Sequence, residues 1–137
     1  KAQCVEHARC WLHGKMGLVF GDVDIAANIW DKIKFYTHIS DGRQLPVSNI
    51  LNGAPQPPKI GDLLIYGQEF FSTGHVAVTT GVDLQAGLIS VSEQNYYNQV
   101  QAHDHVRRIP LIKNADCYWL LDGYLIGWKQ MQDATID

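Results

Sequence analysis

The feature that most constrains this chain is a change of hydrophobic period partway along it. Up to about residue 36 the apolar residues recur at helical spacing. From residue 62 onward they fall in short runs of strand length, punctuated by Gly67, Gly81 and Gly87. Between the two lies a stretch, residues 40–59, that carries Gly42, Pro46, Gly53, Pro55, Pro57 and Pro58. Helices first, then strands joined by short turns, predict an α+β fold with N-terminal helices packed on a largely antiparallel β-sheet. At 137 residues the chain is expected to be one domain, 1–137, around a single core.

Residues 4–13 lack Gly and Pro and place Val5, Ala8, Trp11 and Leu12 at helical spacing, so the first helix is expected there, closed by Gly14 and Gly17. A second helix is expected over residues 24–36 from the stripe Ile25, Ala26, Ile29, Trp30 and Ile33, with Asp22 or Asp24 as its N-cap. Residues 40–59 read as a long loop with at most short structure, bordering the functional cleft. Strands are expected at 62–66, 74–80, 88–92 and 106–112, with one or two more in 118–128.

Composition narrows the function classes. Hydrophobic residues make up 46% and charged residues 18%, as in folded globular chains, and the formal net charge is −3. No basic stretch supports nucleic-acid binding. The apolar runs at 63–66 and 117–121 are far shorter than a membrane span. Three cysteines cannot all pair internally, and Cys4 and Cys10 on one helix would be separated by about 9 Å of axial rise. Reduced thiols favour a cytoplasmic setting, secretion being the alternative. The start Lys1-Ala2-Gln3-Cys4 shows no signal peptide and places a reactive residue near a terminus, so flanking residues are expected upstream.

Three short stretches carry chemistry when read together. Cys4 opens the first helix, where the macrodipole and free N–H groups favour thiolate over thiol. His75 follows Gly74 and begins Val76-Ala77-Val78; alternation puts it on one face with the small Ala77. Glu93 ends the strand at 88–92, and Asn95 lies two residues on. A cysteine nucleophile needs a base, and the base needs an orienting group, so Cys4, His75 and Glu93 or Asn95 fit a thiol amidase or peptidase. Gln3 beside the thiol is placed to help hold an oxyanion. A lone cysteine is more often a small buried hydrophobe, and that reading is kept for Cys10 and Cys117.

Other groups compete weakly. His7 lies three residues from Cys4 on the same helix but has no evident orienting acid. His103-Asp104-His105 supplies too few ligands for a metal site and reads as a solvated loop. Tyr96 and Tyr97 are candidates for a cleft wall. Asp22, Asp24 and Asp31 form an acidic region that helix capping also explains. No cofactor and no metal is implied.

Gln3-Cys4-Val5-Glu6, Gly61-Asp62-Leu63, Gly74-His75-Val76-Ala77 and Glu93-Gln94-Asn95, in that order and spacing, resemble the CHAP domain (cysteine, histidine-dependent amidohydrolase/peptidase). Trp11-Leu12, the segment 19–23, the segment 52–55, Phe71-Ser72-Thr73-Gly74-His75 and Ile126-Gly127-Trp128 are similar to the glutathionylspermidine amidase branch. The resemblance covers residue 3 to about residue 128. It implies a papain-like fold, Cys4 as nucleophile, His75 as base then acid, Glu93 as third triad member, and Asn95 in support. It further implies an oxyanion hole of Gln3 with the Cys4 N–H, and Arg9 against the acyl part of the substrate.

The implied reaction is hydrolysis of the amide between the glutathione glycine carboxyl and spermidine, through a thioester on the cysteine. The implied partner is thus a small-molecule amide or peptide substrate, with a synthetase domain expected in a longer parent chain. Three positions depart from the branch: Ala2 stands for Trp, His7 for Phe and Cys10 for Arg, all beside the nucleophile. They leave the triad intact and put substrate choice in question. The alternative is a peptidoglycan amidase or endopeptidase with the same Cys-His-Glu set. A binding module with a dead site is disfavoured by the intact triad.

Overall fold

A computed structural model describes residues 3–70, 72–94 and 105–132. The chain begins with helix α1 (Gln3–Met16) and the two-residue strand β1 (Leu18–Val19). α1 runs past Gly14 and stops at Gly17, which takes φ +66°, a left-handed value that glycine tolerates, and donates its N–H to the His13 carbonyl at 3.1 Å. Its inward residues Cys4, Val5, Ala8 and Leu12 are buried.

The expected helix at 24–36 is largely absent. Only α2 (Asn28–Lys32) is helical, and its N-cap is Ala27 without a side-chain bond, not Asp22 or Asp24. Ile33 already has extended backbone, and β2 (Phe35–His38) follows. The apolar stripe is real, since Ala26, Ile29, Ile33 and Tyr36 are all buried. Burial at Tyr36 is achieved by a strand opposite Leu45 rather than by another helical turn, in keeping with the aromatic and β-branched residues Phe35-Tyr36-Thr37.

Residues 40–59 also differ from expectation, for they contain the eight-residue strand β3 (Gln44–Leu51). Pro46 sits where β3 hands over from β2, paired with residues 44–46, to the last strand, paired with residues 47–51. A missing N–H is tolerated at such a changeover. The remaining strands fall where the period predicts: β4 (Leu63–Tyr66), β5 (His75–Asp83), β6 (Leu88–Glu93), β7 (His105–Asn114), β8 (Cys117–Leu120) and β9 (Leu125–Met131). Gly81 does not end β5; it lies at a register shift within the strand.

The strand order is β1-β2-β3-β9-β4-β5-β6-β7-β8, antiparallel at every pairing. The molecule is therefore α+β with a large antiparallel sheet and few helices. Its core has two parts. α1 packs with Leu63, Ile65, Val76 and Val78, whereas Leu64, Tyr66, Ala77, Ile89, Val91, Ile109 and Trp128 form the second cluster. The alternation of β4 and β5 produces this division, and each fully buried Leu, Ile or Val contributes about 1.5–3 kcal/mol. Cys4, Cys10 and Cys117 are all free thiols; Cys10 is exposed, which corrects its reading as a buried hydrophobe, and Cys117 is partly buried. Among the described residues no helix is long and apolar enough to cross a membrane.

Candidate active site

The site forms where the start of α1 meets the start of β5. Gly74 makes this junction possible. It adopts φ +77°, and a Cβ there would lie 2.5 Å from the Tyr66 carbonyl oxygen and 2.8 Å from the Ala27 side chain. Only glycine lets the chain enter β5 so close to the end of β4. The Gly74 N–H is taken by the Phe70 carbonyl at 2.9 Å, which fixes the turn.

His75 is the first residue of β5 and is 6% exposed. Its ring lies against Tyr66, with centroids 5.3 Å apart, and edge-on to Phe70 at 5.5 Å. Its Nε2 hydrogen-bonds Glu93 Oε1 at 2.7 Å. Cys4 is the other side chain that acts on the imidazole, and with Nε2 engaged by Glu93 the ring nitrogen still open to a partner is Nδ1. Burial pulls the imidazole toward neutrality, but the bonds to Cys4 and Glu93 outweigh it and set His75 at about 9, above the ordinary 6.5.

Glu93 ends β6 and is 2% exposed. Burial pushes its carboxyl up; hydrogen bonds from His75 and Arg107 prevail and hold it at about 2. Glu93 is thus a carboxylate that accepts from both sides, and an imidazolium beside it is stabilised rather than isolated.

The sequence residues are distributed as follows. Cys4, His75 and Glu93 come together from α1, β5 and β6. Gln3 is the first described residue of α1 and is exposed next to Cys4. Arg9 turns to the 20–22 segment, donating to the carbonyls of Phe20 at 2.5 Å and Gly21 at 2.7 Å, with its guanidinium 4.3 Å from the Phe20 ring centroid. His7 Nε2 meets Ser92 Oγ at 2.8 Å, which ties α1 to β6 one residue before Glu93. Asn95, Tyr96, Tyr97, His103 and Asp104, like Ala2 and Phe71, lie outside the described residues, as does the His105 side chain. Among the described residues no cluster of His, Cys, Asp or Glu is arranged to hold a metal.

Sequence reasoning missed the groups behind Glu93: Arg107 on β7, Tyr66 on β4, and Asp122 between β8 and β9. The available signal was Arg107 itself, a charge inside a strand pattern, at an alternate position from the buried Ile109.

Comparison with known proteins shows which family the sequence matches. The chain matches the CHAP domain family over residues 1–95. It is 35% identical over 143 residues to the bifunctional glutathionylspermidine synthetase/amidase of Escherichia coli (strain K12), a match that covers 98% of this chain and 23% of that protein. The same protein of Shigella flexneri gives the same figures. Trypanothione synthetase of Crithidia fasciculata is 36% identical over 97 residues, covering 70% of this chain and 14% of its own length. The chain therefore spans less than a quarter of the curated relatives it matches.

Proposed function

Because the chain belongs to the CHAP family, we propose that it is a thiol amidase whose nucleophile is Cys4. The observation that carries the reading is the buried line Cys4, His75, Glu93, with Nε2 and Oε1 at 2.7 Å. In this reading His75 accepts the thiol proton through Nδ1, and Glu93 holds the imidazolium that results. The thiolate adds to the carbonyl carbon of the scissile amide. The oxyanion is held by the Cys4 N–H and the Gln3 side chain. Collapse of the adduct breaks the C–N bond, with His75 donating its proton to the leaving amine and a thioester left on Cys4. Water then gives its proton to His75 and its oxygen to the acyl carbon, and the thiol leaves protonated.

The proposed substrate is glutathionylspermidine or a related glutathione–polyamine conjugate, since the relatives matching most of this chain carry that amidase in their names. Arg9 is proposed to contact the acyl part from a guanidinium already anchored on Phe20 and Gly21. Asn95 is proposed to support the triad from just beyond Glu93. The helix against the antiparallel sheet is read as papain-like, a synthetase domain as the partner in a longer chain, and the cytoplasm as the setting.

The test is hydrolysis of glutathionylspermidine, followed as amine release, by wild type and Cys4→Ala. Wild-type cleavage with a folded, inactive variant is the expected result. Cleavage that survives in Cys4→Ala refutes the nucleophile. No wild-type cleavage alongside lysis of purified cell walls transfers the same triad to peptidoglycan.

A further inference from the structure

We infer that Arg107 is a positioning residue for this reaction, a clamp that fixes the plane of the Glu93 carboxylate so that one oxygen faces His75. The inference rests on the thiol amidase reading above. It assigns a role to residues 107 and 122, which lie outside the 1–95 span that carries the family match.

The argument begins with the torsion that orients a carboxylate. The terminal rotation of Glu is broad and roughly two-fold, so a single bond to His75 leaves the plane of Glu93 free to swing. Arg107 removes that freedom. Its Nε donates to Oε2, the oxygen His75 does not use, and its Nη2 reaches Oε1 at 3.3 Å. A guanidinium can engage both oxygens because its donors form a rigid planar fork, which an ammonium lacks.

Arg107 is itself held from two directions. Nη2 donates to Asp122 Oδ2 at 2.9 Å and to Tyr66 Oη at 3.3 Å, and Tyr66 donates its hydroxyl to the same Asp122 oxygen at 2.6 Å. Burial, then Asp122, raises the Tyr66 phenol well above its ordinary value, so it remains a donor. The groups around the imidazole are then Cys4 from α1, Tyr66 from β4 and Glu93 from β6, with Arg107 of β7 and Asp122 behind Glu93. Asp122 has a second effect. An unpartnered guanidinium would draw negative charge away from Glu93 and weaken its hold on the imidazolium. A carboxylate on the far side of Arg107 offsets that pull.

Arg107→Met, Arg107→Lys and Asp122→Asn separate positioning from mere structure. The readouts are the pH dependence of iodoacetamide alkylation at Cys4, mapped by peptide mass, and kcat and KM on glutathionylspermidine. Removing the guanidinium frees the plane of the Glu93 carboxylate and loosens its bond to His75, and an imidazolium held less firmly disfavours thiolate. In Arg107→Met the acid-side loss of alkylation should therefore move about one pH unit or more upward. kcat should fall about 10- to 100-fold with KM nearly unchanged, as for a misplaced catalytic group. Arg107→Lys should restore only part of either readout, because it returns a charged donor without the fork. Asp122→Asn should shift both readouts less, in the same direction. Wild-type alkylation profile and kcat in a folded Arg107→Met overturn the inference. If that variant does not fold, wild-type behaviour in both Arg107→Lys and Asp122→Asn overturns it. Wild-type Cys4 that reacts only as an ordinary free thiol overturns both the inference and the reading beneath it, whereas a reactive wild type with unshifted variants overturns the clamp alone.

Discussion

Replacing Glu93 by Gln tests the electrostatics of the site without removing a side chain. The pair His75–Glu93 is displaced at both ends: His75 rises from 6.5 to about 9, and Glu93 falls from 4.5 to about 2. Each end corresponds to a difference of 2.5, which at 1.36 kcal/mol per unit is about 3 kcal/mol. The two ends describe one pair and do not add. The raised His75 contributes stability that is complete below pH 6.5 and is lost as pH rises through 9. The depressed Glu93 contributes stability that is complete above pH 4.5 and is lost as pH falls toward 2. The penalty of Glu93→Gln should therefore be greatest between about pH 4.5 and 6.5, at no more than about 3 kcal/mol, because Cys4 as well as Glu93 raises His75 and Arg107 as well as His75 lowers Glu93. Toward pH 9 it should decline to what the Glu93–Arg107 pair alone contributes. Urea unfolding of both proteins from pH 3 to 9.5 measures this, and the difference between them cancels every other titrating group. The His75 ring protons, followed by NMR, should titrate lower in the variant. A penalty that stays flat across the whole range, or a His75 titration that does not move, would refute the reasoning.

Two other perturbations follow from the geometry. Gly74→Ala forces a left-handed backbone on a residue whose Cβ meets the Tyr66 carbonyl at 2.5 Å; it should lose about 2–4 kcal/mol in denaturant unfolding and a larger share of turnover, since His75 is next in the chain. Burial raises the Asp62 carboxyl from 3.8 to about 7 against the bonds it accepts from Gln130 and the Lys59 N–H. Its contribution is complete below pH 3.8 and lost as pH rises through 7, so Asp62→Asn should gain on wild type by at most about 4 kcal/mol between pH 4 and 8. Thermal unfolding at the two ends of that range checks the sign.

What could be read from the sequence was what is encoded locally. The run Leu63-Leu64-Ile65-Tyr66, the alternation after His75 and the glycine turns each mark a strand without reference to the rest of the chain. His75 and Glu93 end adjacent strand segments that pair, so their meeting follows from a short hairpin. The errors came where tertiary packing overrides local pattern. The stripe through Ile29 and Ile33 continues as extended chain because Tyr36 must face Leu45 in the next strand. Pro46 made residues 44–51 look like loop, although the strand's changeover between partners accommodates it. Arg107, Asp122 and Tyr66 converge from three distant segments, and no spacing rule connects them.

The place of β9 in the sheet governs how the molecule can be made. Its residues 127–131 pair with β3 on one side and its residues 125–129 with β4 on the other, so the last strand of the described chain fills the middle of the sheet. As the chain emerges from the ribosome, β3 and β4 have no common neighbour until that strand arrives. The helix bearing Cys4 is synthesised first, yet the platform beneath it closes last. Such dependence on sequence-distant pairing slows folding and keeps two strand edges available to other chains in the interval. The juxtaposition of Cys4 and His75 thus waits until synthesis has passed through β9, and a nascent chain cut short before then carries Cys4 without the complete sheet that holds His75.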